Sequence, residues 1–381
     1  MGLVRTEALR WPSGMELGNG IRSNSNDNKA NDHEDTMPFV GRCVDDFELE
    51  ARRRLSVQNI EYIFRGTESE STLRRNVSAY SAYLLRRRVL QGIKQVDLRA
   101  EYFDGKISSE LPFFPGPVNL GPLFPGAIFY EMKLLERYSI PLFISHLSIV
   151  PPLEVAKLPG MIKKNARKQG SSLVWQIYVE ENNFDRIFKQ AASAKSWGYD
   201  ALTLTVDGEL SVKLGNDVQE ALTESSFVGI TVNDLKKFRR SSSLPLIVKG
   251  IMTGEDAEVA IECGADGVVV SNHGGRTLDC GQGTLEALPE VVKRLRSKKK
   301  TRRAEIFLDG GIRRGTDILK GLALGANGCL LGRAILWSIS VDPENGPSRV
   351  IEILKGELER AALLTGVQRT SCVSPDILVR C

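Results

Sequence analysis

Residues 244–337 repeat one pattern, and that repetition restricts the fold more than any other feature of the chain. LPLIVKG leads into a helix, DGVVVSNHGGRTLD into another and EIFLDGGIRRGTD into a third, before NGCLLGRAILW. Each apolar run is short enough for a buried strand and ends in a polar or glycine-rich cluster. Lys249, His273 with Arg276, Asp309 with Arg313, and Arg333 all fall just past a strand's C-terminal end. Alternating strands and helices, with functional groups gathered at one end of the strands, are the pattern of a (β/α)8 barrel face.

The count completes upstream. Strands are expected over 111–118, 141–147, 173–179 and 201–207, then 245–250, 267–272, 305–310 and 328–333. The fold class is therefore α/β, a (β/α)8 TIM barrel. Helical stretches lie between the strands. Over 314–326, Ile318, Leu319, Leu322, Ala323 and Ala326 form one apolar stripe. Thr253 is placed to cap the following helix and Gly264 to end it.

Ahead of the barrel, residues 44–66 carry apolar positions at helical spacing, with Gly66 as a stop, and a second helix is expected over 71–84. Residues 1–40, with GNGIRSNSNDNKANDHED, lack the apolar surface to offset ordering entropy and are expected to be a disordered tail. His33 there reads as solvated. Residues 41–381 form one domain: N-terminal helices and a hairpin over 41–110, the barrel over 111–340 and C-terminal helices over 341–381.

Composition narrows the partners. A net charge of +4 on 381 residues argues against nucleic acid. The basic run RLRSKKKTRR reads as a solvated helix end and loop. No apolar run approaches the ~20 residues of a membrane span, and no N-terminal stretch resembles a signal peptide. Six cysteines without a CxxC pair read as free thiols in a reducing compartment. The last residues are LVRC, without a peroxisomal tripeptide, so the expected location is cytoplasmic. MGLVRT fits a myristoylation pattern too short to carry weight.

Two loops point to an anion. After strands seven and eight come Gly310, Gly311 and Arg313, then Gly332 and Arg333. Glycines let backbone N–H groups approach an anion, and guanidinium groups grip one bidentately. A tight turn alone remains the alternative at Gly310 and Gly311. Lys249 at an inward strand end is costly unless paired or functional. His273 is poised to take a proton near neutral pH.

SNHGGRTLD, with VKG, DGGIRRGTD and GR at this spacing, resembles the FMN-dependent α-hydroxy-acid oxidases and dehydrogenases, such as glycolate and lactate oxidases. The resemblance covers about residues 46–378 and is firmest after Pro245. It implies FMN as cofactor, oxidation of a small 2-hydroxy acid and a homo-oligomer, often a tetramer. It implies His273 as base, Asp207 as its carboxylate partner and Tyr178 on the substrate hydroxyl. Arg276 and Tyr62 fall on the substrate-carboxylate positions, although a partly buried helix tyrosine accounts equally well for Tyr62. The implied FMN contacts are Ser145, Gln176, Thr205, Lys249, Asp309, Gly311, Arg313, Gly332 and Arg333.

The chain departs from the family pattern on the substrate side. The PTA turn reads Pro117-Val118-Asn119, an aromatic position is Leu147, and His146 beside it reads as packing. The second carboxylate arginine falls on Leu214, next to Lys213, in a shortened segment after TVD. A diverged substrate is expected. The rival from another class is a flavin-binding or wholly non-catalytic paralogue serving as a partner subunit. An IMP-dehydrogenase-like or isomerase barrel is disfavoured by SNHGGRTLD.

Overall fold

Eight short apolar runs become eight parallel strands. They are β1 (Phe113–Pro115), β2 (Leu142–Ile144), β3 (Leu173–Ile177), β4 (Ala201–Thr205), β5 (Leu246–Ile251), β6 (Gly267–Val270), β7 (Glu305–Leu308) and β8 (Gly328–Leu331). Seven lie inside the spans expected from sequence, and β5 runs one residue past its span, to Ile251. The computed structural model describes residues 39–119, 124, 127–148, 152–157, 172–178, 184–208, 229–297 and 304–381. The chain divides into Met1–Val40 and Gly41–Cys381. The tail expectation therefore lies outside the described residues but for Phe39 and Val40, as do Lys213, Leu214 and residues 298–303.

Hydrogen-bonded neighbours run β1, β8, β7, β6, β5, β4, β3, β2, and every pairing is parallel. β1 and β2 touch at the seam and bring the sheet round into a barrel. The strands are buried on both faces, which is why they read as unbroken apolar runs rather than alternating ones. The expected stripe Ile318, Leu319, Leu322, Ala323 and Ala326 is buried on and just after the helix Gly315–Ala323. Thr253 caps Gly254–Glu262 by accepting from the Asp256 N–H at 3.1 Å.

One end of the barrel is plugged. The hairpin Ala100–Tyr102 with Ile107–Ser109 puts Tyr102 against Phe307 (5.2 Å between ring centroids) and Phe114 (6.0 Å). The Phe103 N–H donates to Glu305 at 3.1 Å, at the start of β7. The plug therefore sits at the N-terminal ends of the strands, and the C-terminal ends are left to form a site.

The N-terminal helices differ from the sequence reading in two places. The first helical stretch is two helices, α1 (Val44–Arg54) and α2 (Val57–Phe64). Ser56 breaks it because its hydroxyl accepts from the Asn59 N–H at 3.3 Å and starts a new helix. The second expected helix stops early: α3 spans Ser71–Ser78, tightens into a 3-10 turn over Ala79–Ala82, and gives way to a strand over Tyr83–Leu85. That strand pairs antiparallel with Leu378–Arg380, a partner almost 300 residues away that no local pattern announces.

Candidate active site at the C-terminal strand ends

His273 follows β6 with φ of 57°, a left-handed conformation that costs a non-glycine residue energy. Its Nδ1 lies 3.3 Å from Asp207 Oδ1 and its Nε2 lies 3.2 Å from the Tyr178 hydroxyl. A carboxylate only accepts, so Nδ1 carries the proton and Nε2 presents its lone pair, with the phenol donating to it. Burial pushes the Asp207 carboxyl up, but Lys249 and His273 outweigh it and hold the group below the usual carboxylate range. Strand β5 makes room for this pair through a bulge. The register slips between Lys249 and Ile251, and Gly250 adopts φ of 107°. A Cβ there would sit 2.6 Å from the Asp207 side chain.

Beside the imidazole lies a second buried cluster. Lys249 Nζ donates to Ser271 Oγ at 2.8 Å and stands 3.5 Å from Asp309 Oδ2. The Ser271 hydroxyl donates to the same Asp309 oxygen at 2.9 Å and accepts from the His273 N–H at 3.2 Å. One hydroxyl thus ties the ends of β5, β6 and β7. Ser271 was not among the sequence candidates; its signal was a small polar residue directly before the Asn272-His273 pair.

The glycine loops take the expected place. Gly310 and Gly311 follow β7 with φ of 90° and 75°. A Cβ on Gly311 would come within 2.0 Å of the Asn76 carbonyl oxygen, so helix α3 packs directly on the loop. The two arginines are held differently. Arg333 donates to the carbonyls of Ile63 (3.0 Å), Gly274 (2.8 Å) and Arg65 (2.9 Å). Among the described residues the Arg313 guanidinium donates to the Ile312 carbonyl alone, at 2.9 Å, and its central carbon lies 4.4 Å from the Trp337 ring centroid. Burial lowers the pKa of both, and for Arg333 the neighbouring Arg276 and Arg313 add to the shift. This crowd of desolvated cations is an environment that an anion would relieve.

Arg276 donates from Nη2 to the carbonyls of Tyr62 (2.6 Å) and Ile63 (3.2 Å), and lies over the Tyr62 ring at 5.6 Å. The Tyr62 hydroxyl donates to the Asn119 carbonyl at 3.1 Å, in the turn after β1.

The N-terminal segment is sewn to this face by polar contacts. Asn76 and Asn272 exchange amide hydrogen bonds, both at 2.9 Å. Asp279 takes the N–H groups of Ser69 (2.9 Å), Ser71 (2.8 Å) and Thr72 (3.2 Å), together with both serine hydroxyls. Those serine contacts hold the Asp279 carboxyl well below its usual range. It caps α3 from about 200 residues away, where Glu70 at the N-cap position turns its carboxylate to the Gly66 N–H and gives the helix no side-chain cap. Sequence reasoning missed Asn76, Asn272 and Asp279 as site supports.

Most sequence-chosen residues line one cavity of about 1130 Å³, counting its open part. Tyr62, Ser145, Tyr178, Thr205, Lys249, His273, Arg276, Asp309, Gly311, Arg313, Gly332 and Arg333 all face it. Gln176 and Asp207 stand behind its wall. Gln176 donates to Thr205 Oγ1 at 2.9 Å and accepts from the His146 N–H at 3.3 Å, while Asp207 backs His273.

Known proteins resemble this chain in sequence and fold. The family model for FMN-dependent dehydrogenases matches residues 51–228 and 211–380. A 2-hydroxyacid oxidase of Dictyostelium discoideum is 33% identical over 385 residues, covering 93% of this chain and 94% of that protein. An L-lactate oxidase of Nostoc sp. is 32% identical, covering 90% of this chain and all (100%) of that one. Among solved structures, a flavocytochrome b2 variant with sulfite bound matches with a TM-score of 0.77 at 30% identity, over 88% of this chain and 86% of that one. A mandelate oxidase variant with 2-hydroxy-phenylacetamide matches with a TM-score of 0.76 at 28% identity, over 87% and 96%. The chain belongs to the FMN-dependent dehydrogenase family.

Proposed function

We propose that this protein oxidises a 2-hydroxy acid to the 2-oxo acid with FMN, and that His273 is the base. The observation that carries the reading is convergence. The Nε2 of a carboxylate-backed histidine opens into the same cavity as a buried lysine and a guanidinium with donors to spare.

FMN fits the residues present. The cavity gathers glycine backbone, arginine and lysine on one side and apolar side chains on the other, the mixture a phosphate-bearing ring cofactor needs. Among the described residues the Arg313 guanidinium uses one of its N–H donors, and Asp309 Oδ1 is buried without a hydrogen-bond partner. Open space lies where a Cβ on Gly332 would project, at the N-terminus of the helix Arg333–Val341. Arg313 and Gly332 would hold the phosphate, with Arg333 bracing the helical segment over it. Lys249 would stand by the ring system, with Ser145, Thr205 and Asp309. When bound, FMN supplies the two-electron acceptor.

The chain's own side chains do the rest. His273 Nε2 accepts the proton that leaves the substrate, and Asp207 stabilises the imidazolium that forms. Tyr178 donates toward the same point and orients the substrate hydroxyl. Arg276, fixed by the Tyr62 and Ile63 carbonyls, supplies positive charge to the carboxylate, with Tyr62 beside it. Leu147, 39% exposed, and Val118 give the mouth an apolar wall. That wall favours a longer or aromatic 2-hydroxy acid over glycolate or L-lactate. A homo-oligomer, tetrameric by resemblance, in the cytoplasm completes the reading; light scattering on purified protein checks the assembly.

The test is anaerobic mixing of the yellow protein with glycolate, L-lactate, 2-hydroxyoctanoate and mandelate. Flavin bleaching by at least one, fastest with the larger acids, is expected. Bound flavin that none of them bleaches would overturn catalysis in favour of a partner subunit. Protein that takes up no FMN would overturn the cofactor assignment.

A further inference from the structure

Four side chains from four elements stack behind the glycine loops. Arg52 of α1 lies 3.9 Å over the Phe64 ring of α2. Phe64 and Trp337 lie parallel, 5.4 Å apart with 25° between their planes. Arg313 closes the stack at 4.4 Å from Trp337. The outer end is 46% exposed and tied to Glu48 at 2.9 Å, whereas the inner end lines the cavity. Trp337 is 1% exposed and is not part of the cavity wall.

We propose that Trp337 is a positioning residue, holding the Arg313 guanidinium face-on so that its edge addresses the cofactor phosphate. The inference rests on the FMN reading above and deepens it. A guanidinium has two ways to be held: by its edge, through hydrogen bonds, or by its face, through a ring. Arg333 is held by its edge, with three carbonyls engaged. Among the described residues the Arg313 guanidinium has one edge contact, to its chain neighbour Ile312, so its orientation falls to the ring. Face-holding leaves the in-plane N–H groups for an anion, and stacking on an aromatic face favours the cationic form. The α1 acids Asp45 and Glu48 help to offset the burial of this cation. Phe64 and Arg52 back the indole from the far side, so the N-terminal helices reach the phosphate site through the stack.

The test separates phosphate binding from ring binding by titrating flavin-stripped full-length protein with FMN and with riboflavin. Wild type should prefer FMN. Trp337→Leu should weaken FMN about 3- to 30-fold, the range of one cation–π contact, and leave riboflavin unchanged. Trp337→Phe should restore most of the preference. Trp337→Leu should add nothing in an Arg313→Ala background. Should Trp337→Leu not fold, Phe64→Leu should show a smaller loss of the same preference. Equal weakening of both ligands in Trp337→Leu, or no change in either, would overturn the positioning role. Wild type that binds riboflavin as tightly as FMN would instead overturn the phosphate site itself, and the positioning role with it.

Discussion

The two halves of the barrel rim are built differently. Around β5 to β8, functional side chains bond one another and the N-terminal helices: Lys249 to Ser271, Ser271 to Asp309, Asn272 to Asn76 and Asp279 to Ser71. Around β1 to β4, the cavity meets Pro117, Val118, Asn119, Ser145, Leu147 and Tyr178, a smaller and more apolar set. The first half carries most of the charges and the proposed proton acceptor, with Asp207 reaching His273 from the end of β4, and the resemblance to the family is firmest there. Under the proposed function the apolar part of the second half meets the substrate, and the sequence departs from the family pattern at Val118, Asn119 and Leu147. A polar network constrains every member, because one loss leaves a buried partner unsatisfied. An apolar wall accepts substitution at lower cost, so substrate choice can drift while the chemistry stays.

The sharpest way to break this contrast is at the anion loop. Arg313→Ala removes a charge-assisted contact and should weaken FMN about 10- to 150-fold, read by flavin fluorescence. Retained affinity would move the phosphate elsewhere on the rim. Next in size is the network itself. Asn272→Ala strands buried groups on Asn76 and should cost about 1–3 kcal/mol, seen as a lower urea midpoint at an unchanged slope.

A pH experiment sharpens the contrast at Asp207. Its folded pKa is depressed, so its stabilising contribution is present above the unfolded value of about 3.9 and is lost as pH falls through the folded value. The stability difference between wild type and Asp207→Asn should therefore shrink as urea titrations move below about pH 4. A difference that stays constant would mean that the carboxylate is not held down by its neighbours. The smallest effect belongs to the other half. Leu147→Ala should change the ranking among 2-hydroxy acids by about 10-fold or less and leave FMN affinity alone. A loss of flavin binding would show that the two halves are not separable.

The same contrast marks what was legible in the sequence. The eight strands were, because each is an apolar run ending in a conspicuous polar cluster. His273, Lys249 and the glycine loops were, because their spacing to the strand ends is short. Contacts made across the fold were not. Ser271 reads as a strand-end serine until Lys249 and Asp309 arrive from neighbouring strands. Asn76 with Asn272, and Asp279 with Ser69 and Ser71, join positions about 200 residues apart. The different settings of Arg313 and Arg333 also needed the fold. Arg333 meets the carbonyls of Ile63, Gly274 and Arg65, which lie about 60 and 270 residues away in sequence.

Single-turnover bleaching of bound flavin, followed anaerobically in wild type and His273→Gln, tests the base at the centre of this site. The best-reacting 2-hydroxy acid should be used, at saturating concentration. The expected result is full flavin occupancy in both proteins and a reduction rate lower by about 10²-fold or more in the variant. An unchanged rate in His273→Gln would contradict the assignment and leave the carboxylate-backed imidazole without a role in proton removal.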